Sequence, residues 1–254
     1  MSEPFLPYGR QTITEIDIAA VVEVLRSPFL TQGPAISKFE KAVASKVGVA
    51  EGVAVNSATS ALHIACLALG LGINDWLWTS PITFVASANC GVYCGASVDF
   101  VDIDADTGLM SVTALRSKLE WAERKGCLPK VLVPVHLAGA SCDMKAIASL
   151  SQHYGFVVLE DASHAIGGSY KKKPVGNCLY SSICVFSFHP VKIITTAEGG
   201  LATTNDPYLA QRMADLRSHG ITKDDSRFER PSPGPWNYEQ QMLGFNYRMT
   251  DLQA

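Results

Sequence analysis

Lys192 closes the stretch Phe186-Ser187-Phe188-His189-Pro190-Val191-Lys192, and well upstream lies Glu160-Asp161-Ala162-Ser163-His164. The acidic stretch follows an apolar run, Phe156 to Leu159, that reads as a buried strand. The lysine follows another apolar run, Ile183 to Phe186. A carboxylate at one strand end and a lysine beyond another suit a cofactor that needs an anion at one pole and an amine at the other. Pyridoxal phosphate is such a cofactor. The carboxylate keeps its pyridine nitrogen protonated, and the lysine forms a Schiff base with its aldehyde. Asp161 would thus keep the ring an electron sink, while Lys192 needs a lowered pKa, which a cationic ring beside it supplies. Lys192 also reads as a plain surface residue, but the turn Thr195-Thr196-Ala197-Glu198-Gly199-Gly200 that follows would enclose it.

Other residues fit the same chemistry. Asn56-Ser57-Ala58-Thr59-Ser60-Ala61 joins a short strand to an Ala/Leu-rich helix. Small residues there let the backbone approach an anion, and the helix N-terminus offers free N–H groups and the positive end of the dipole. The plain alternative is an ordinary capped helix start with Ser57 or Thr59 as cap. Phe84, in Pro81-Ile82-Thr83-Phe84-Val85, opens the helix after the next strand, where an aromatic can stack on a flat ring or simply join the core. Ser187 can donate its hydroxyl to a phosphate. His164 can meet the carboxylate or the ring oxygen, or serve as a satisfied structural histidine.

Positioning these groups requires a particular architecture. Short apolar runs read as seven strands: Gly52 to Val55, Trp76 to Thr79, Ser97 to Val101, Val131 to Val135, Phe156 to Leu159, Ile183 to Phe186 and Gly200 to Thr203. Helical patterns separate them at Ala58 to Leu69, Val85 to Cys94, Val112 to Arg124, Met144 to Tyr154 and Tyr208 to His219. Two more precede them: one capped by Thr14 and running to Leu25, with Ile16, Ala20, Val21, Val24 and Leu25 on one face, and one from Ser37 to Val47. Buried strands alternating with helices predict an α/β fold with a mainly parallel sheet. Thr222 to Trp236, rich in Asp, Arg, Pro and Ser, reads as a long mobile loop.

Composition narrows the function. With 254 residues, 47% of them hydrophobic, the chain can bury a large core. A formal charge of −3 gives no reason to expect nucleic acid or an anionic membrane as partner. No apolar run approaches the roughly 20 residues that span a bilayer, and residues 1–10 show no signal peptide. The seven cysteines lack CxxC pairs and read as free thiols of a reducing cytoplasm, and no metal site is expected. Met249 to Ala254 looks like the start of a helix, which suggests a chain cut short.

Four motifs carry a family resemblance: Asn56-Ser57-Ala58-Thr59-Ser60-Ala61-Leu62, Glu160-Asp161-Ala162-Ser163-His164-Ala165, Ser187-Phe188-His189-Pro190-Val191-Lys192 and Gly244-Phe245-Asn246-Tyr247-Arg248-Met249. In this order and spacing, from about Tyr8 to the chain end, they resemble the DegT-type sugar aminotransferases. The resemblance implies fold type I of pyridoxal-phosphate enzymes and a homodimer with active sites at the subunit interface. Residues 1–254 would form the large domain, with an N-terminal segment at 1–35, and the smaller C-terminal domain of the family would be absent. Tyr8, Leu30-Thr31-Gln32-Gly33, residues 81–89 and residues 195–200 look most like the pseudaminic-acid branch. Those enzymes use glutamate to aminate C4 of a UDP-linked 4-keto-6-deoxy-N-acetylhexosamine.

Carried over by position, Lys192 is the Schiff-base lysine, Asp161 the pyridine partner and Phe84 the stacking residue, with His164 beside them. Ala58, Thr59 and Ser187 become phosphate contacts. Asn246, with Arg248, would reach the phosphate of the neighbouring subunit's cofactor. Tyr8, Pro28, Phe29, Leu30 and Thr31 match positions that touch the nucleotide sugar, as do Ala58, Ser187 and Asn246.

Other readings compete. Sister sugar 3-dehydratases carry histidine where Lys192 stands. Type I enzymes of amino-acid metabolism hold their substrate through an arginine of the C-terminal domain. A cofactor-binding fragment or sensor without a complete site is the third possibility. A dinucleotide-binding domain would need glycines where Asn56 to Ala61 has none.

Overall fold

The structure is a computed structural model that describes residues 5, 7 and 9–254, so Tyr8 lies outside the described residues. Thr14 caps the first helix, α1 (Glu15–Arg26), reciprocally. Its hydroxyl accepts the Asp17 N–H, and the Asp17 carboxylate accepts the Thr14 N–H at 2.7 Å. The expected apolar stripe is there, yet no residue of α1 is buried. Pro34, pre-set for a first helical turn, starts α2 (Pro34–Val47) ahead of the expected Ser37.

The elements then alternate: β1 (Glu51–Val55), α3 (Ala58–Ala68), β2 (Trp76–Thr79), α4 (Ala86–Tyr93), β3 (Ser97–Phe100), α5 (Val112–Lys125), β4 (Val131–Val133), α6 (Met144–Tyr154) and β5 (Val157–Asp161). A small hairpin of β6 (Ser169–Tyr170) and β7 (Lys173–Pro174) precedes β8 (Ile183–Ser187), β9 (Gly200–Thr204) and α7 (Pro207–Arg217). The last paired segments are β10 (Ile221–Thr222) and β11 (Glu239–Gln240).

Seven strands form one sheet in the order β1-β9-β8-β5-β4-β2-β3. Pairing is parallel from β3 through β8, and only β9 runs against its neighbours. Alternation along each strand splits the core into two layers. Val53, Val55, Leu77, Val131, Val133, Leu159 and Val185 pack beneath α3, α4 and α7. On the other face, Ala54, Phe186 and Leu201 meet α2, while Trp78, Leu132 and Val158 meet α5 and α6. Helix α3 is buried from Ser60 to Cys66, so its N-terminus is held rigidly over the sheet.

The stretch from Thr222 to Trp236 is a long loop, as expected, with one short 3-10 turn, and it is tied down near its start. Arg227 donates to both oxygens of the buried Asp215, at 3.0 and 2.5 Å, and β10 pairs with β11. A bidentate guanidinium–carboxylate contact restrains the segment in a way its local composition does not reveal. Phe84 does not open α4; it precedes that helix, whose cap is Val85.

The segment after Met249 makes one turn. Thr250 and Gln253 cap each other there, as the expected helix start requires. No helix among the described residues is long and apolar enough to cross a membrane.

Candidate active site

The parallel strands end on one side of the sheet, and the loops that follow β1, β2, β4, β5 and β8 enclose a cleft of about 750 Å³. Ligands of open α/β sheets bind outside the carboxyl ends of strands for this reason. Asp161 is the last residue of β5 and only 4% exposed. Its Oδ2 accepts from the Ser87 hydroxyl at 2.6 Å. Its Oδ1 accepts from the Ser163 hydroxyl at 2.6 Å and the Ser163 N–H at 3.1 Å. None of these donors carries charge, and no ion pair is formed by Asp161 among the described residues. A buried carboxylate without a cation asks for one.

Lys192 lies across the cleft in the turn that leaves β8, where its N–H donates to the His189 carbonyl at 2.9 Å. Pro190 sits inside that turn, its fixed φ matching the bend. Burial holds the Lys192 amine below its ordinary pKa, and Asp161 opposes that shift. His164 is likewise kept below the usual imidazole range, first by burial and then by Lys192, with Asp161 pulling the other way. These three groups therefore sense one another electrostatically. Ala138 donates its N–H to His164 Nδ1 at 3.3 Å.

At the far wall, Ser57 caps α3. Its Oγ accepts the Ser60 N–H at 3.1 Å, and the first intrahelical bond runs from Ala61 N–H to the Ser57 carbonyl. That leaves the N–H groups of Ala58 and Thr59, both lining the cleft, without a protein acceptor among the described residues. A side chain at Gly200 would collide with the Ser57–Ala58 backbone, so only glycine lets β9 begin against this helix terminus. Ser187, the last residue of β8, completes the wall. Phe84 also lines the cleft and is 71% exposed, its ring free for a planar partner.

The cleft thus gathers Lys192, Asp161, His164, Ala58, Thr59, Phe84 and Ser187. It does not gather Asn246, which is exposed, or Arg248, which bridges to Val55. Pro28, Phe29, Leu30 and Thr31 are exposed and line no part of it. The sequence reading missed His136, Ser163, His189, Glu198 and Gln253, all on the wall, and Ser87 behind Asp161. His136 had a usable signal, because it follows an apolar run just as Asp161 does.

An α/β domain with an amine, an unpaired buried carboxylate, an exposed ring and a free helix N-terminus around one cleft has the make-up of a phosphorylated-aldehyde cofactor site. The chain belongs to the DegT/DnrJ/EryC1/StrS aminotransferase family, whose pattern matches residues 11–254. It is 40% identical over its whole length to the UDP-4-amino-4-deoxy-L-arabinose–oxoglutarate aminotransferase of Shewanella sediminis, covering 63% of that protein.

Among solved structures, Helicobacter pylori PseC, an aminotransferase involved in the biosynthesis of pseudaminic acid, superposes with a TM-score of 0.84 at 34% identity. That match covers 97% of this chain and 62% of PseC. The putative sugar aminotransferase Spr1654 of Streptococcus pneumoniae, in its PMP-form, gives 0.85 at 30% identity, over 98% of this chain and 65% of that one. The chain spans less than two thirds of the length of these relatives.

Proposed function

We propose that residues 1–254 form the cofactor-binding large domain of a pyridoxal-phosphate-dependent aminotransferase. The substrates are glutamate and a UDP-linked 4-keto-6-deoxy-N-acetylhexosamine, aminated at C4. The observation that carries this reading is the pairing, across one cleft, of Lys192 with the buried and cation-free Asp161. The residues present fit the cofactor: a carboxylate for a ring N–H, free N–H groups at α3 for a phosphate, and a depressed lysine for an aldehyde.

Pyridoxal phosphate, when bound, supplies the electron sink for cleavage of a C–H bond next to nitrogen. Asp161 would hold positive charge at the ring nitrogen. Ala58, Thr59 and Ser187 would hold the phosphate, and Phe84 would pack against the ring. Lys192 would anchor the cofactor through its amine and, once free, would move the proton at the glutamate α-carbon. Water would supply the keto oxygen of the departing 2-oxoglutarate while the amino group is retained. Lys192 would then deliver a proton to sugar C4 as the amino group replaces the 4-keto oxygen, which leaves as water.

Asn246 and Arg248 lie off their own cleft, which supports a homodimer in which they serve the partner's site. Tyr8 and Pro28 to Thr31 are proposed sugar-nucleotide contacts of the same assembly. A second reading, a C4 aminotransferase for another UDP-sugar, is favoured by the likeness to the arabinose enzyme.

The test is to load the protein with pyridoxal phosphate, add glutamate, and measure 2-oxoglutarate. Candidate 4-keto UDP-sugars are then added, and aminated product is followed by mass spectrometry. About one 2-oxoglutarate per bound cofactor is expected. Cofactor binding with no 2-oxoglutarate would reduce the chain to an inactive binding fragment, and amination of a different UDP-sugar would select the second reading.

A further inference from the structure

His136 and Glu160 form a pair that the proposed chemistry does not use. His136 is 0% exposed and Glu160 5%, and the His136 Nε2 lies 2.7 Å from Glu160 Oε2. The other Glu160 oxygen takes the Ser181 hydroxyl. The opposite ring nitrogen, Nδ1, accepts the Cys142 N–H at 3.3 Å. Burial opposes a charge on this ring, while Cys142 and Glu160 favour one. A backbone N–H aimed at Nδ1 nevertheless requires a lone pair there, so the hydrogen bonds specify a neutral ring with the proton on Nε2. Both ends of the ring are gripped.

The backbone at His136 leads straight into a strained turn. Ala138 and Gly139 both have positive φ, 53° and 88°. For Ala138 this conformation is costly and persists only where the surroundings impose it. The turn begins at His136, whose N–H donates to the Asp161 carbonyl at 3.0 Å, and closes with Gly139 N–H on the His136 carbonyl at 3.1 Å. It rests on His164: a side chain at Gly139 would meet the His164 carbonyl at 3.0 Å, and the Ala138 N–H reaches His164 Nδ1.

We propose that the Glu160–His136 pair is a positioning device for His164. By anchoring the 136–139 turn, it presents the Ala138 N–H that keeps Nδ1 of His164 unprotonated and leaves the Nε2 proton for the cleft. His136 and Glu160 are positioning residues; His164 is the member that offers a proton to the cleft. The purpose rests on the cofactor-site reading above, but the geometry and its test do not.

The experiment is proton–nitrogen correlation NMR of the histidine rings in the cofactor-free protein, near neutral pH, with His164 assigned through His164→Asn. In the wild type His164 is expected as the Nε2–H tautomer, favoured about tenfold, the scale of one net hydrogen bond. His136→Ala should lower the Nε2–H excess to that of a free histidine side chain, and Gly139→Ala, which leaves the pair intact, should do the same by lifting the turn. Glu160→Gln keeps an acceptor for His136 Nε2–H and should retain the wild-type signal. An Nδ1–H tautomer at His164 in the wild type overturns the proposal even if a variant fails to fold. So does an unchanged tautomer in folded His136→Ala. Neither outcome bears on whether the protein is an aminotransferase, since no cofactor or turnover is involved.

Discussion

The Ser87 hydroxyl donates to Asp161 Oδ2 at 2.6 Å from a position with no solvent exposure, and Thr83 Oγ1 lies 2.7 Å behind it. A chain of hydroxyls therefore backs the carboxylate that the cleft reserves for a cationic ring. Ser87→Ala removes a buried hydrogen bond to a charged group, worth about 1.5–3 kcal/mol. The variant should unfold at lower urea by about that amount while still binding pyridoxal phosphate. A urea midpoint equal to wild type would show that the hydroxyl supplies nothing to the carboxylate.

Lys192 should bind pyridoxal phosphate covalently at lower pH than an ordinary lysine. Burial lowers its pKa from the usual 10.5, so its reactive neutral form becomes populated earlier as pH rises. The yield of borohydride-fixed cofactor, mapped by peptide mass spectrometry, should concentrate on Lys192 and climb well before surface lysines react. Lys192→Ala should lose the covalent adduct. It should also cut 2-oxoglutarate release by about 10²- to 10⁴-fold, the usual worth of a positioned proton-transfer group. Normal release from this variant would remove Lys192 from the chemistry.

Asp251 ties the two ends of the described chain together. It is 2% exposed and accepts N–H groups from Gly33, Ala35 and Ile36 at 3.0, 3.2 and 3.3 Å, capping α2 from a distance of over two hundred residues in sequence. A carboxylate at a helix N-terminus satisfies free N–H groups and meets the positive end of the dipole. Asp251→Ala should cost about 1–3 kcal/mol. Gly33→Ala should also destabilise, because its side chain would collide with the Asp251 carboxylate and Phe29. Since both changes break one contact, the double variant should lose less than the sum of the singles. Additive losses in denaturant titrations would mean that the two residues act independently.

The fold was legible where a single strand carries its own signal. Trp76 to Thr79 occurs with the bounds its apolar run predicts, because a strand buried on both faces needs no partner to announce itself. Asp161 and Lys192 were legible for a related reason: a charge that ends an apolar run is conspicuous. Ser87 was not, since a serine among alanines in α4 looks like any small helical residue until the Asp161 carboxylate arrives beside it. Asp251 and Arg227 were hidden too, their partners being far away or outside the local pattern. The exposed stripe of α1 shows the opposite failure, in which an amphipathic pattern is present but no described element covers it.

Cys94 should be the most reactive of the seven thiols. It is half-buried at the end of α4 and held below the ordinary thiol range, to about 6, first by a hydrogen bond from Cys66 and further by His63, against the opposing effect of burial. Cys66, Cys178 and Cys184 are pushed up instead, so they stay protonated at neutral pH. The thiolate is the nucleophile, so alkylation of Cys94 should rise through pH 6 and level off by about pH 7. An unperturbed thiol, with its pKa near 8.5, would still be gaining rate at that point. The linkage has a definite sign. A group whose folded pKa is depressed contributes stability that is fully present above its unfolded pKa and disappears as pH falls through its folded one. Stability from this thiolate should therefore fade as pH drops through about 6. Limited iodoacetamide labelling with mass spectrometry across pH 5 to 9 reads the first effect directly. His63→Leu should shift the labelling profile to higher pH by removing one of the two stabilising neighbours. Labelling led by another cysteine, or a Cys94 rate still climbing at pH 9, would contradict the thiolate assignment.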